Sequence, residues 1–596
     1  MVKAPLHIGL VGCGSRGLSI FERLLSLSET RPEQPVVLNI FEPNVHGCGA
    51  HWPDQPDYLL LNTVAGQLGV FPDAAAFGDL PQAQARSGPD FLQWCREQNL
   101  KVDADSGLLA SEGREVQAQD FLPRHLLGAY LADAFTRILA TAPQWVSVRL
   151  HHQAVTAVDS VDGKRYRLKT PAGAEITVDR LILTVGHTGR VQAADRQRIG
   201  NIYPLPGSLD RIEPGESILL EGLGLGAMDT LAALTAGRGG QYTRRADASH
   251  VYHPSGQEPV IYVQSRDGLP FRTRPNGLTD CPRHQAVLLT PARIDALRAD
   301  AKDGQLDFEQ DILPLMLVEM RAAAVAVLHA QSDAERHREV LSRLRTVSTA
   351  GTAGVVACEA LLREYEAASG SIDPLALICH ALPASVTAHN YHSWIYHALE
   401  ADLHESRVGR GESAIKAAIE VWRDLRDRLR QAVDFDGLTE ASHRQFYGRW
   451  HKAINRLVAG PQKERHADLL ALCDAGLLTF LMPGTAPATE HYRRVAGYVQ
   501  GSGVINSDCA PVRDLARLGL IRPRTEEAGI DGIDVDAACH PKSIRGEAVR
   551  NLWVLGPLAE GSCYYNHYVT SAGAPSRLFM DAHRAAAAIL EAGTPA

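Results

Sequence analysis

Gly12-Cys13-Gly14-Ser15-Arg16-Gly17 follows directly on the apolar run His7-Ile8-Gly9-Leu10-Val11, and Gly222-Leu223-Gly224-Leu225-Gly226-Ala227 follows directly on Ser217-Ile218-Leu219-Leu220-Glu221. A lone G-x-G-x-x-G is weak evidence, because glycine gathers in turns of every kind. Here each loop stands between a short β-type run and an apolar helical stretch, Leu18 to Leu25 and Met228 to Leu234. That order of strand, tight turn and helix is the context the dinucleotide fingerprint requires. The glycines let backbone N–H groups approach a pyrophosphate, and the helix N-terminus adds partial positive charge. Two such loops imply two dinucleotides, and FAD with a nicotinamide nucleotide is the natural pair. The alternative is one working loop and one structural turn. The predicted cradles are Gly12, Gly14, Ser15, Arg16 and Gly17 in the first loop, and Gly222, Gly224, Gly226 and Ala227 in the second.

Each loop is extended by a second strand. Val36 to Phe41 ends at Glu42, where the ribose hydroxyls of an adenosine need an acceptor; the plainer reading is a solvated strand-end acid. Pro259 to Gln264 ends instead in Ser265-Arg266, with no acid. An arginine there suits a 2′-phosphate, which favours NADPH over NADH, although it could equally be a surface charge. Val146 to Leu150, Ala154 to Val158 and the period-two run Tyr166 to Thr170 resemble the small sheet inserted in flavoprotein Rossmann domains. Asp179 to His187 reads as a buried strand ending at Gly186. Near the end, Val504-Ile505-Asn506 and Asn551 to Gly556 are strand-like, the second followed by a glycine turn and a long helix from about Pro575. The fold class predicted is therefore α/β, with two Rossmann-like dinucleotide-binding domains and a large helical insertion. Residues 1–210 open the FAD domain, 211–290 bind NADPH, 291–480 form the helical substrate region, and 481–596 return to the FAD domain.

The helical region is marked by Ile415, Ala418, Ile419, Trp422, Leu425 and Leu429, one amphipathic helix by spacing. Its Arg423, Arg426, Arg428 and Arg430 read as a solvated face, and Ser348 to Gly354 as a linker or loop. The 596 residues suggest about three folding units, and 45% apolar with 22% charged residues is an ordinary globular composition. A formal net charge of −9 disfavours a nucleic-acid partner. No apolar stretch is expected to reach the roughly 20 residues of a membrane span, and no signal peptide is expected ahead of the first strand. The 10 cysteines include no C-x-x-C, which argues against a zinc ribbon or a redox disulfide and for reduced thiols in a cytoplasmic enzyme. No metal site is predicted.

Several stretches outside the two loops resemble bacterial FAD/NAD(P)-binding proteins of the flavin monooxygenase superfamily, over nearly the whole chain. They are Glu42-Pro43 with Gly47-Cys48-Gly49-Ala50, Leu60-Leu61-Asn62, and Leu122-Pro123-Arg124 with Gly128 and Tyr130. Ile454-Asn455-Arg456-Leu457 with Gly460-Pro461, the turn Gly556 to Ser562, and Tyr564-Tyr565-Asn566-His567 extend the likeness. The subgroup most similar is the amino-acid N-oxygenases, including aspartate N-oxygenases that form nitrosuccinate. One departure stands out: the run ending Leu183-Thr184-Val185-Gly186-His187 lacks the aromatic ending of N-hydroxylating flavoenzymes. Val504 to Cys509 likewise replaces a glycine-containing strand end.

What the resemblance implies is an FAD- and NADPH-dependent monooxygenase that hydroxylates a small amino acid or amine through a flavin C4a-hydroperoxide, with O2 as co-substrate. Such a site needs dry walls more than an acid–base triad. The amine must be neutral to use its lone pair, and an amino-acid carboxylate calls for a bidentate arginine. Asn62, His51, Tyr564 and Asn566 are the residues predicted at the reacting centre, with Trp52, Arg124, Gly186 and Gly556 beside the cofactor. His389, Tyr391, His392, Trp394, Tyr396 and His397 form an aromatic–histidine patch that could line a substrate pocket. A flavin oxidoreductase or oxidase without oxygen insertion, and a non-catalytic dinucleotide-binding protein, remain alternatives. Homo-oligomerisation is open.

Overall fold

The computed structural model describes residues 4–78, 80, 85–103, 108–190, 197–275, 283–348, 351–499, 503–504, 506–525, 531–570 and 575–591. The chain divides into two compact units, Met1–Ala193 with Gln500–Ala596, and Ala194–Val499.

In the first unit five parallel strands lie in the order Leu552–Val554, Arg180–Leu183, Leu6–Val11, Val36–Phe41, Val146–His151. The inner strands are buried on both faces, which is why they read as unbroken apolar runs. Helices Ser15–Ser28 and Arg577–Glu591 pack together, and Ile8, Leu10, Phe21, Ile40, Tyr130 and Trp553 fill the core around them. A three-stranded antiparallel sheet, Ala157–Val161, Arg165–Lys169 and Glu175–Val178, lies close on the central strand. A Cβ at Gly9 would meet Leu168 at 2.9 Å, so the contact requires bare backbone there. Val146–His151 was expected in this small sheet and belongs to the main one. As an edge strand it is exposed on one side, which gives it the alternation of a half-buried antiparallel strand. Val504 is buried and Ile505 lies outside the described residues; Ser507 bridges to Arg190 instead.

The second unit has its own parallel sheet, ordered Arg198–Ile199, Arg493–Ala496, Ser217–Glu221, Val260–Gln264, Leu478–Phe480. Arg198–Ile199 and Arg493–Ala496 are neighbours in it, so the chain divides at 193/194 and 499/500 rather than near 210 and 480. The helices from Pro291 to Asp474 share this unit with the sheet. The single amphipathic helix expected over 415–429 is two, Ala414–Asp424 and Arg426–Val433, because Leu425 leaves helical geometry at φ −98°, ψ 17°. Nor are all its arginines solvated: the Arg423 and Arg430 side chains are 10% and 8% exposed and pair with Glu420 and Asp427. The expected linker falls between helices Ala334–Ser348 and Gly351–Ser369, with residues 349–350 outside the described set.

Among the described residues one helical segment, Phe308–Ala330, is long and apolar enough to cross a membrane, contrary to the expectation. The expectation counted only unbroken apolar residues, whereas Glu319 and Arg321 interrupt a run whose average stays apolar. It is a core helix: Val318, Ala322, Val325 and Ala326 pack against Val340, Leu344 and Leu362. Glu319, with 0% of its side chain exposed, accepts the N–H groups of Val287, Leu288 and Leu289 at 2.7–2.9 Å and faces His284 Nε2 at 2.7 Å. Burial alone would raise its pKa, but His284 and these amides outweigh it and hold the carboxyl below its ordinary range. Glu319→Gln turns an amide toward donors that need an acceptor, and an unfolding loss of about 3–5 kcal/mol is expected by urea titration at neutral pH. Since the folded carboxyl titrates lower than the unfolded one, this contribution is complete at neutral pH and fades on acidification, so wild type and variant converge there.

Candidate functional site

The first cradle begins where Leu6–Val11 ends. Gly12 takes φ +88° and its N–H donates to Phe41 O at 2.9 Å. A Cβ at Gly12 would lie 2.7 Å from the Thr184 carbonyl, and one at Gly17 would lie 2.5 Å from the Gly12 carbonyl. Gly14 and Gly49 press backbone to backbone, a Cβ on Gly49 falling 2.8 Å from Gly14 Cα. Gly14 caps helix Ser15–Ser28 without any side-chain hydrogen bond, so its first N–H groups are left for an anion. A pyrophosphate fits this bare, uncapped turn.

The remaining predicted residues take defined places around it. Glu42 is 6% exposed, and its carboxylate accepts the N–H of Cys13 at 2.9 Å and of Asn44 at 3.2 Å. It therefore shapes the loop from the position assigned to the ribose acceptor. Arg16 is turned inward: Nη2 donates to Asn566 O at 2.6 Å and the guanidinium lies 4.7 Å over Tyr568. Gly556, at φ +90°, would bring a Cβ within 3.1 Å of Arg16 Cγ. Gly186 has φ +74° and open space where a side chain would stand.

Asn62, His51 and Arg124 gather at the start of helix Arg124–Leu139, and half-buried Trp52 follows His51 in the chain. Arg124 donates through N–H to Leu59 O and through Nε to Leu60 O, two residues before half-buried Asn62. The His51 carbonyl meets the same helix at Gly128, where a Cβ would lie 1.6 Å away, which explains the glycine. Burial, then the Arg124 charge, lowers the His51 pKa to about 4 and keeps the ring neutral. Tyr564 and Asn566 are placed differently, 2% and 3% exposed within the closing turn. Asn566 Nδ2 donates to Cys563 O and its N–H to Glu560, so its side chain braces the loop.

In the second cradle Gly222 takes φ +118°, and Gly224 caps helix Leu225–Leu234 without a side-chain hydrogen bond. A Cβ at Gly222 or at Gly226 would stand 3.0 Å from the Gly497 carbonyl, and one at Gly224 would stand 3.3 Å from the Phe271 ring. Ala227 is buried. Ser265 is also buried, while Arg266 is exposed. The acid next to it, Asp267, is already paired with Arg456 at 2.6 Å.

Phe271 leads into Arg272-Thr273-Arg274, which pattern reading passed over. Arg272 Nη1 donates to Asp402 Oδ1 at 3.0 Å, and Asp402 also accepts Lys416 Nζ at 2.8 Å, the Thr273 N–H at 2.7 Å and the Thr273 hydroxyl at 2.9 Å. Arg272 then faces a recess of about 500 Å³ lined with His397, Glu400, His404, Glu405 and Ile415. The aromatic–histidine patch thus splits: His397 lines the recess, whereas Tyr391 is core and His392 accepts the Phe480 N–H. Among the described residues, no group of three or more His, Cys, Asp or Glu side chains could hold a metal. The available signal was two arginines, alternating directly after a strand and loop.

A family profile described as FAD-NAD(P)-binding matches residues 9–188, which span the first cradle. An L-aspartate N-monooxygenase (nitrosuccinate-forming) of Streptomyces davaonensis is 31% identical over 80% of this chain and 76% of its own length. One of Streptomyces cremeus is 31% identical over 80% and 75%. A nitrosuccinic acid synthase of Aspergillus oryzae is 28% identical over 95% and 89%. Among solved structures, an ornithine hydroxylase from Pseudomonas aeruginosa aligns over 98% of this chain and 99% of its own at 11% identity and a TM-score of 0.38, too slight a likeness to argue from.

Proposed function

From the premise that this chain belongs to the family of FAD- and NAD(P)-binding N-monooxygenases, an oxidoreductase family, we propose that it hydroxylates the amino group of L-aspartate, using FAD, NADPH and O2. FAD, when bound and reduced by NADPH, would activate O2, which is the oxidant. The observation that carries the reading is the 31% identity over 80% of the chain to nitrosuccinate-forming relatives.

The residues supply binding, orientation and dryness. The two uncapped helix starts, at Gly14 and Gly224, take the pyrophosphates. Asn62, His51, Trp52 and Arg124 flank the flavin, with Tyr564 and Asn566 framing it from the closing turn. Arg272, held by Asp402, offers its guanidinium to a substrate carboxylate in the recess.

The test is oxygen uptake by the FAD-loaded protein with NADPH against a panel of amino acids, with mass detection of N-oxygenated product. Uptake with L-aspartate and a product heavier by oxygen supports the proposal. Uptake without such a product points to an oxidase, and a flavin that NADPH does not bleach points to binding alone. Arg266 stands exposed at the strand end for the 2′-phosphate. Arg266→Ala is expected to raise KM for NADPH about 10–100-fold while leaving KM for NADH within about twofold, because one charge-assisted contact is lost.

A further inference from the structure

We propose that His187 is a hydrogen-bond acceptor for bound FAD, locked in a single tautomer by His567 and Glu560. The inference rests on reading the first cradle as the FAD site. His187 follows Gly186 at the carboxyl end of Arg180–Leu183, beside the strand that carries the first loop. Ligands of open parallel sheets bind at that edge. The segment is fastened to the cradle, since the Thr184 hydroxyl donates to the Gly12 carbonyl.

The tautomer follows from partners taken in order. Glu560 is 8% exposed, and its carboxylate accepts the N–H groups of Tyr565 at 2.9 Å and Asn566 at 2.8 Å. A carboxylate holding two backbone N–H groups acts as an acceptor. It faces His567 Nε2 at 3.4 Å, an ion-pair distance at which the carboxylate favours the proton on that nitrogen. His567 Nδ1 is then an acceptor, and it lies 3.2 Å from His187 Nε2, which must be the donor. The proton of His187 is thereby placed on Nε2, leaving Nδ1 with a lone pair and, among the described residues, no donor.

The rings lie parallel, 13° apart with centroids at 4.7 Å, so neither turns without disturbing the other. His187 itself is exposed, so a cofactor can reach its ring. A neutral acceptor suits FAD, whose O–H and N–H donors lie on the ribityl chain and the isoalloxazine. The ring gains a further N–H on reduction.

The experiment titrates FAD into apo-protein by flavin fluorescence, and measures the oxidised-to-reduced flavin ratio at a fixed dye potential. His187→Phe is expected to weaken FAD binding about tenfold, or to shift that ratio about tenfold toward oxidised flavin. A change in affinity alone assigns the acceptor to a ribityl hydroxyl or to the ring N–H present in both oxidation states, and a shifted ratio assigns it to the N–H gained on reduction. His187→Asn, which keeps an acceptor oxygen, should recover most of the loss, a recovery that mere packing would not produce. Solvent reaches 38% of the His567 side chain, so His567→Gln is a mild change that should produce a smaller loss of the same kind. Wild-type affinity and ratio in both His187→Phe and His567→Gln would overturn the assignment, as would no recovery in His187→Asn. If the wild type binds no FAD, the site reading falls with it. If it binds FAD but forms no N-oxygenated product, the proposed reaction fails while His187 stays assigned by these titrations.

Discussion

Gly224→Val should yield a yellow protein whose flavin NADPH no longer bleaches, and Gly14→Val a protein that purifies colourless. Each glycine immediately precedes a helix that has no side-chain cap. Neither has a positive φ, so the cost of a side chain is steric, not conformational. At Gly224 the first added carbon already stands 3.3 Å from the Phe271 ring, and at Gly14 it stands 3.1 Å from Gly49 Cα. The branched carbons of valine go further and occupy the approach to the helix N–H groups. Losing two charge-assisted bonds to a pyrophosphate costs about 3 kcal/mol or more, a factor of at least about 100 in affinity. Flavin content after purification and anaerobic titration with NADPH read the two losses separately. Loss of flavin from Gly224→Val with retention in Gly14→Val would exchange the assignments of the two cradles.

Both cradles were legible in sequence because the information is local. Strand, turn and helix lie within about 20 residues, and the turn can be made only with glycine where φ is positive, as at Gly12 and Gly222. The α/β class with two dinucleotide folds followed from the same stretches. The edges of the units were not legible, because a two-residue strand such as Arg198–Ile199 carries no periodicity. Its place is set by pairing with Arg493–Ala496, almost 300 residues away. Val146–His151 failed for a related reason: the exposed side of an edge strand imitates an antiparallel pattern.

Side-chain roles were harder still. Arg16 lies inside the fingerprint and reads as a cofactor contact, yet its guanidinium is committed to Asn566 and Tyr568, 550 and more residues on. Asn566 likewise reads as a polar group near the flavin and is used to brace its own loop. Conversely, Arg272 and Asp402 carry no motif, and their pairing joins a loop after one strand to the middle of a helix 130 residues later. Residue type predicts what a group can do; which partner engages it depends on contacts that no spacing encodes.

Asp402→Ala is expected to be among the most damaging single substitutions in the second unit. Asp402 is 2% exposed and Lys416 1%, and the ammonium has the carboxylate at 2.8 Å and the Thr273 carbonyl at 2.9 Å. Burial pulls the Lys416 pKa down and Asp402 opposes it, so without the carboxylate a buried cation is left uncompensated. A loss of about 3–5 kcal/mol by urea unfolding is expected, with a higher KM for substrate as Arg272 loses its anchor. The same cluster sets an acid limit. Burial alone would raise the Asp402 pKa, but Lys416, Arg272 and His466 overcome it and hold it at about 2. Neighbouring His466 is 0% exposed, both ring nitrogens are without a hydrogen-bond partner among the described residues, and burial lowers its pKa from 6.5 to about 4. Between those two values the unfolded imidazole binds a proton that the folded one does not, so stability rises with pH across that window and its contribution is complete above it. Acidification through the window should therefore remove on the order of 3 kcal/mol, before Asp402 begins to titrate. His466→Leu should lessen that first slope by one proton's share, His46 and His51 keeping theirs, and leave the second, lower one in place. An unchanged slope in the variant would move the acid sensitivity to another buried histidine, of which His46, also lowered to about 4, is the first to test.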